Sequence, residues 1–115
     1  MFNNASPMNE AIARYQQIVA ADPDHELARF SLGRAYFEDG QFGLAREQFA
    51  FATARKPDWM AAQIFLGKCE LALGNRTAAK SVLEHAHHLA RIQNHQGPLA
   101  ETRQLLASLE TWNSG

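Results

Sequence analysis

Two prolines that lie 34 residues apart, Pro23 and Pro57, constrain the fold of this chain more than any other feature. Between them the sequence places Leu32-Gly33-x-x-Tyr36 and then Ala45-x-x-x-Phe49, and Pro57 closes the stretch. A period of 34 residues is long enough for two short helices with a turn between them. We therefore expect this stretch to be one structural unit and the rest of the chain to contain copies or parts of it.

The three spaced elements resemble the tetratricopeptide repeat (TPR) pattern, which has L-G-x-x-Y, A-x-x-x-F and P at the same spacing. The resemblance extends over about residues 8–95 and is closer in the first full unit than in the second. It implies an all-α fold, a short right-handed solenoid of antiparallel helix pairs with about six helices. It also implies a non-enzymatic adaptor that binds another protein or a peptide.

Helical periodicity and turn residues divide the chain into a series of repeat units. The single domain of residues 1–115 comprises a half repeat, two full repeats and a capping helix, at residues 7–22, 24–57, 58–95 and 98–112. Ala11-x-x-x-Tyr15 matches the second helix of a unit, so the chain is expected to start half a repeat in. Asp24 and Asp58 are the expected N-caps of the first helices of the full repeats, and Gly40 and Gly74 are expected to end those helices.

Several residues depart from the family pattern. Arg29 and Gln63 stand where the family has a large aromatic residue, and Glu70 stands in place of its tyrosine. Arg91 replaces the closing proline of the second unit, so the helix that contains it is expected to continue past that position. Gly97-Pro98 is then expected to separate this helix from the capping helix.

Two small residues are expected at close contacts between helices. Glycine destabilises a helix by about 1 kcal/mol relative to alanine, so Gly33 needs a structural reason. We expect it at a position where a side chain would hold neighbouring helices apart. Cys69 is the only cysteine, and it therefore cannot form an internal disulfide. Because it lies in an apolar helix, we expect it to fill space in the core.

The charge balance argues against nucleic acid and membrane surfaces as partners. The net charge is −1, the pI is near 6.5 and charged residues make up 20% of the chain, so no strong field attracts phosphate or anionic lipid. The apolar runs are too short for a membrane-spanning helix, and the first residues lack the basic start and apolar core of a secretory signal. A cytoplasmic protein is therefore expected.

No set of residues in the sequence is arranged for catalysis, and no cofactor is expected. Ser31, Ser81 and Ser108 are isolated on helices, and there is no glycine-rich phosphate loop. The acidic residues are expected on outer faces, where pairs such as Arg46 with Glu47 contribute little. We therefore expect no enzymatic activity.

Histidines are concentrated on one predicted helix, namely His85, His87, His88 and His95. Glu84, His88 and His95 share one face of this helix, but the cation of Arg91 lies among them and opposes a bound metal ion. The expectation is a solvated face whose imidazoles lack fixed partners. Metal binding is kept only as a remote alternative.

The residues expected to bind a partner lie on the first helix of each full repeat, because in TPR solenoids these helices line the concave surface. This peptide-binding set is Leu27, Phe30, Arg34, Phe37, Ile64, Lys68 and Leu71. Arg34 and Lys68 are expected to attract a carboxylate of an extended or helical peptide. The best-known peptide pocket of the family holds the C-terminal carboxylate of heat-shock chaperones and uses asparagines, which the corresponding faces of this chain lack, so that ligand is not implied.

The same apolar surfaces have two other possible uses. In the first, the aromatic residues only seal neighbouring helices, Phe30 against Ile64 and Phe37 against Leu71. In the second, the protein is a homodimer through its terminal helices, because one side of the first helix is expected to lack a partner. The residues on that side are Ile12, Tyr15, Gln16 and Val19, and Phe51 is a further aromatic residue expected to face outward.

Overall fold

The structure is a computed structural model that describes residues 7–114 of the 115-residue chain. Residues 1–6 and 115, which the single-domain prediction includes, lie outside the described residues. The described part contains six helices and no strand: α1 (Pro7–Ala21), α2 (Glu26–Glu38), α3 (Phe42–Arg55), α4 (Met60–Ala72), α5 (Arg76–Gln93) and α6 (Gln96–Ser114). The predicted all-α fold with about six helices is confirmed.

The helices form a short solenoid in which each helix packs against the next one along the chain, and α2 also contacts α4. The molecule is elongated, with extents of 52 × 31 × 22 Å. Buried apolar side chains extend from Ile12 in α1 to Leu109 in α6. Among the helices of residues 7–114, none combines the length and the apolar character needed to cross a membrane.

The 34-residue period is visible in the backbone at the ends of α2 and α4. Gly40 and Gly74 have φ angles of +77° and +80°, a left-handed conformation that glycine adopts without a steric penalty. The next residue turns back toward the helix in both repeats: the Gln41 N–H donates to the Tyr36 carbonyl at 2.9 Å, and the Asn75 N–H donates to the Glu70 carbonyl at 2.8 Å. The predicted helix ends at both glycines are confirmed.

The N-caps of α2 and α4 lie one residue later than predicted. His25, rather than Asp24, caps α2, and its Nδ1 accepts a hydrogen bond from the Ala28 N–H at 3.1 Å. Trp59, rather than Asp58, occupies the N-cap position of α4 and makes no side-chain cap hydrogen bond. The prediction was wrong because the turn after each proline takes one more residue than the sequence pattern indicated.

The junction between α5 and α6 also differs from the prediction. α5 ends at Gln93, and Asn94 follows in the left-handed conformation with φ 58°. α6 begins at Gln96, so Gly97-Pro98 lies in its first turn and does not separate the two helices. A proline is tolerated there because the first N–H groups of a helix have no partner within the helix.

Glycines allow the closest approaches within each helix pair. A Cβ atom on Gly33 would lie 2.9 Å from Phe49 Cζ, and one on Gly67 would overlap with Leu83 Cδ2. Phe49 and Leu83 are completely buried. The expected close contact at Gly33 is confirmed, and Gly67 is its counterpart in the second repeat.

Cys69 fills space in the core, as expected, and its side chain is completely buried. Loss of hydration raises the pKa of the thiol to about 12, and the neighbouring Glu70 adds to this increase, whereas Arg46 opposes it. A thiol with so high a pKa remains protonated and unreactive at neutral pH.

Arg29 and Gln63, which replace aromatic residues of the family pattern, make the same contact in the two full repeats. Arg29 Nε donates to the Pro23 carbonyl at 3.0 Å, and Gln63 Nε2 donates to the Pro57 carbonyl at 2.8 Å. Each polar side chain therefore ties its helix to the turn that precedes it.

Glu70 is an exception to the expectation that acidic residues lie on outer faces, because it is only 3% exposed. Its Oε2 lies 2.9 Å from Arg46 Nε, and its Oε1 accepts from Asn75 Nδ2 at 2.9 Å. The expected pairing of Arg46 with Glu47 was therefore wrong, since the buried carboxylate draws the guanidinium toward α4.

Candidate functional site

A groove of about 510 Å³, the α4/α6 groove, lies between α4 and α6. Its lining includes the apolar or aromatic side chains of Trp59, Ala61, Ile64, Phe65 and Pro98, together with the charged Lys68 and Glu101. Of the seven residues predicted to bind a partner, Ile64 and Lys68 line this groove. Ile64 is only 6% exposed, because most of its side chain packs in a cluster with Met60 and Leu89.

Phe30 is part of an aromatic cluster that joins α2, α3 and α4. Its ring stacks on Trp59 with centroids 4.7 Å apart and an interplanar angle of 25°. It also meets Phe49 and Phe65 edge-on, at 5.6 and 5.8 Å. Phe30 therefore uses its ring largely for contacts within the molecule.

Phe37 makes a similar set of contacts at the other end of α2. It lies edge-on to Phe42 at 5.3 Å and to Phe65 at 5.4 Å. Both rings thus pack on Phe65, a contact that the sealing alternative did not include. Phe65 was not in the predicted set. It is an aromatic residue directly after Ile64, and this position could have identified it as a contact of Phe30 and Phe37.

The two remaining apolar residues of the predicted set lie apart from the α4/α6 groove. Leu27 on α2 is 61% exposed, the largest exposure in that set of apolar side chains. Leu71 is half-buried near the end of α4, where it packs against the cluster of Leu83 and Leu109.

Both predicted cations already have carboxylate partners. Arg34 Nη2 lies 3.4 Å from Glu38 Oε2 on the same helix, and Lys68 Nζ lies 2.5 Å from Glu101 Oε2 on α6. Arg34 and Lys68 also lie over the Phe65 ring, 5.6 and 5.3 Å from its centroid. An acidic ligand would therefore have to compete with two carboxylates of the chain itself.

A second groove of about 330 Å³, the α1/α2 groove, lies between α1 and α2. Its lining includes Met8, Ala11 and Tyr15 of α1 and Ser31, Arg34 and Ala35 of α2. The sequence did not predict this groove as a site. It lies beside the helix that was expected to lack the first half of its repeat.

The side of α1 that was expected to lack a partner is covered in part. Ile12 is 8% exposed and belongs to the same buried cluster as Leu32 and Phe49. Gln16 Nε2 donates to Tyr36 Oη at 2.8 Å. The expectation was wrong for Ile12, because α2 packs against this face of α1, whereas Gln16 is exposed apart from its hydrogen bond.

Two of the four clustered histidines have fixed partners, contrary to expectation. His85 Nε2 lies 2.9 Å from the Pro57 carbonyl oxygen, and His87 Nδ1 lies 2.9 Å from Thr102 Oγ1. In residues 7–114 no group of three or more His, Cys, Asp or Glu side chains is placed to hold a metal ion.

Phe51 is covered by charged groups and does not form an open apolar surface. The guanidinium carbon of Arg29 lies 4.2 Å from the centre of the Phe51 ring, and that of Arg55 lies 5.0 Å away. The ring is half-buried as a result. Phe51 therefore adds little to a possible interface between copies.

Comparisons with known proteins agree with the helical-repeat architecture. The family profile described as tetratricopeptide repeat matches residues 8–63. The first TPR domain of Spaghetti (RPAP3), solved bound to the HSP90 peptide SRMEEVD, is 25% identical with a TM-score of 0.76, over 90% of this chain and 80% of that chain. Protein BPP2914 from Bordetella parapertussis is 27% identical with a TM-score of 0.76, over 90% of each chain.

A protein with lower sequence identity superposes more closely on this structure. The type III secretion translocator chaperone SycD of Yersinia enterocolitica has a TM-score of 0.87 at 16% identity, over 94% of this chain and 75% of that chain. No curated protein sequence matches the chain significantly.

Proposed function

We propose that this chain, which belongs to the tetratricopeptide repeat family, is a non-enzymatic adaptor that binds a peptide or protein segment along α2, α4 and α6. The observation that carries this proposal is the α4/α6 groove, which combines apolar walls with the charged side chains of Asp58, Lys68 and Glu101. Its volume of about 510 Å³ lies in the range typical of ligand sites. The TPR domain of Spaghetti, which was solved with a bound peptide, supports the same class of function.

The chemistry of the α4/α6 groove favours a peptide with an apolar anchor. Trp59, Ile64 and Phe65 offer apolar surface to a side chain that enters the groove, and burial of that side chain would drive binding. Lys68 and Glu101 supply a donor and an acceptor to polar groups of the peptide. Leu27 and Arg34, exposed on α2, would extend the contact beyond the groove.

An acidic peptide such as the SRMEEVD segment bound by the Spaghetti domain is not proposed as the ligand. Arg34 and Lys68 are already paired with Glu38 and Glu101, so an acidic peptide would have to displace these two carboxylates. The corresponding faces of this chain also lack asparagine, which supports the same choice.

A phage-displayed peptide library selected on the full chain tests the proposal. Fluorescence anisotropy would then measure how a selected peptide binds the wild-type protein and two groove variants, Ala61→Arg and Lys68→Glu. The matched control is Ala107→Arg, at an exposed position of α6 that lines neither groove. We expect about tenfold weaker binding to Ala61→Arg and unchanged binding to the control. Failure to select any peptide, or equal binding to all variants, would contradict the proposal.

Self-association is the competing use of the apolar surface. Ile18 on α1 and Ile92 on α5 are 36% and 64% exposed, but they lie on different helices and single exposed apolar residues are common. Light scattering over a dilution series separates the two functions, because the adaptor requires no second copy. A dimer that blocks peptide binding would favour the self-association alternative.

A further inference from the structure

The α1/α2 groove has a filled counterpart one repeat further along the chain. Ala11 and Tyr15, which line the groove, precede Ala45 and Phe49 by 34 residues. The corresponding space beside Ala45 and Phe49 is filled by α2, whose Phe30 ring meets Phe49 edge-on at 5.6 Å. Within residues 7–114, no helix takes the corresponding place against α1.

The other walls of the two sites correspond in the same way. Met8 and Ser31 precede Phe42 and Phe65 by 34 residues. Phe42 and Phe65 both hold the ring of Phe37, at 5.3 and 5.4 Å. Because Met8 and Ser31 are smaller than the two phenylalanines, the α1/α2 groove has more free space between its walls.

The contact of α2 with Phe49 also indicates which helix would fit the α1/α2 groove. Gly33 lies so close to Phe49 that a Cβ atom would be 2.9 Å from its ring. In the α1/α2 groove the equivalent ring is Tyr15, so a helix there needs a small residue opposite it. Phe30, Gly33 and Phe37 give the spacing on α2, and residues seven apart lie on the same face of a helix.

We infer that the α1/α2 groove is a docking site for an amphipathic helix of a partner protein. This helix carries two aromatic side chains seven residues apart, with a glycine or alanine three residues after the first. It continues the solenoid at the α1 end, because the groove repeats the walls that hold α2. Arg34 and Glu38 lie at the same groove and offer charged contacts to polar residues of the helix.

A synthetic peptide of residues 24–40 of this chain is the natural probe, since it contains the helix that fills the counterpart site. Fluorescence anisotropy with the labelled peptide and the full chain should show saturable binding. We expect about tenfold weaker binding when the peptide carries Phe30→Ala and Phe37→Ala together. The same loss is expected when the protein carries Ala11→Arg on one wall or Ser31→Arg on the other.

The control protein is Ala107→Arg, at an exposed position of α6 that lines neither groove, and it should bind the probe like the wild type. Circular dichroism melting curves verify that each variant is folded, and the two wall variants lie on different helices so that one folded variant suffices. If the peptide does not bind, or binds both wall variants as tightly as the wild type, the inference is overturned. Neither result affects the adaptor proposal, which depends on the α4/α6 groove.

Two further results would assign the groove to a different occupant and so overturn the inference. A Phe2→Ala change that tightens probe binding about tenfold would mean that the chain's own first residues compete for the groove. A dimer in light scattering that the probe dissociates would mean that a second copy supplies the helix. A monomer that binds the probe equally well with or without Phe2→Ala supports a partner helix.

Discussion

The Glu70 carboxylate accepts a hydrogen bond from Arg46 Nε at 2.9 Å and thereby joins α4 to α3, although Glu70 is only 3% exposed. Glu70 stands where the family pattern has a tyrosine. A buried carboxylate is costly unless its oxygens have donors, and Asn75 supplies the second donor. The second repeat thus keeps its packing with an ion pair in place of an aromatic residue.

We predict that Arg46→Met destabilises the protein, because it leaves the Glu70 charge buried without its cation. Loss of one partner of a fully buried pair costs about 3–5 kcal/mol. Since the Arg46 side chain is 45% exposed, solvent screening reduces the expected loss to about 1–2 kcal/mol. Urea unfolding measures the change.

The double variant Arg46→Met with Glu70→Met is the control for that prediction. Replacement of a buried ion pair by apolar residues is often neutral, so the double variant should recover most of the lost stability. A double variant as unstable as the sum of the two single variants would show that the two residues do not act as a pair.

Phe49 and Phe51 provide a matched test of the repeat frame. Phe49 is completely buried, whereas Phe51 is half-buried under two guanidinium groups. Phe49→Ala is expected to lower the free energy of unfolding by about 3–5 kcal/mol, because it leaves a cavity in the core. Phe51→Ala should cost much less, and similar losses in urea unfolding of the two variants would contradict the assigned frame.

The parts of the fold that could be predicted are those determined by local backbone preferences. Gly40 and Gly74 end their helices because a left-handed residue is needed at both places, and the sequence marks both with glycine. The N-caps at His25 and Trp59 could not be predicted, because the length of each turn depends on how the helix packs on its neighbours.

The candidate site was harder to predict, because contacts between helices depend on rotation about the helix axis. Repeat spacing makes Ile64 the equivalent of Phe30, but equivalent residues need not touch each other. Within α4 the ring that Phe30 contacts is Phe65, one residue after Ile64 and about 100° around the helix. The pairing of Lys68 with Glu101 could not be predicted either, because it depends on where α6 lies after the long helix α5.

Gly67 and Gly43 should respond in opposite ways to the same substitution. Gly67→Ala places a Cβ atom in overlap with Leu83 Cδ2, and Leu83 is completely buried, so the helix pair must shift. Overpacking of this kind costs about 1–3 kcal/mol. Gly43 lies near the start of α3, and a Cβ atom added there would meet no other atom within 4 Å. Gly43→Ala is therefore expected to stabilise the helix by up to about 1 kcal/mol. Melting temperatures that fall for both variants would contradict this assignment.

The buried Cys69 thiol should make the stability depend on pH above neutrality. Loss of hydration raises its pKa from the ordinary value of 9.0 to about 12, so in the unfolded chain the thiol loses its proton at a lower pH than in the folded protein. The buried, protonated thiol therefore makes its full contribution to the free energy of unfolding below about pH 9, and this contribution is lost as the pH rises toward 12. Urea unfolding of the wild type and Cys69→Ala at pH 8, 9 and 10 measures this dependence. The free energy of unfolding should fall more steeply with pH for the wild type, and the cavity left by the substitution only adds a constant offset. Parallel pH profiles would show that the thiol is not held protonated in the folded protein.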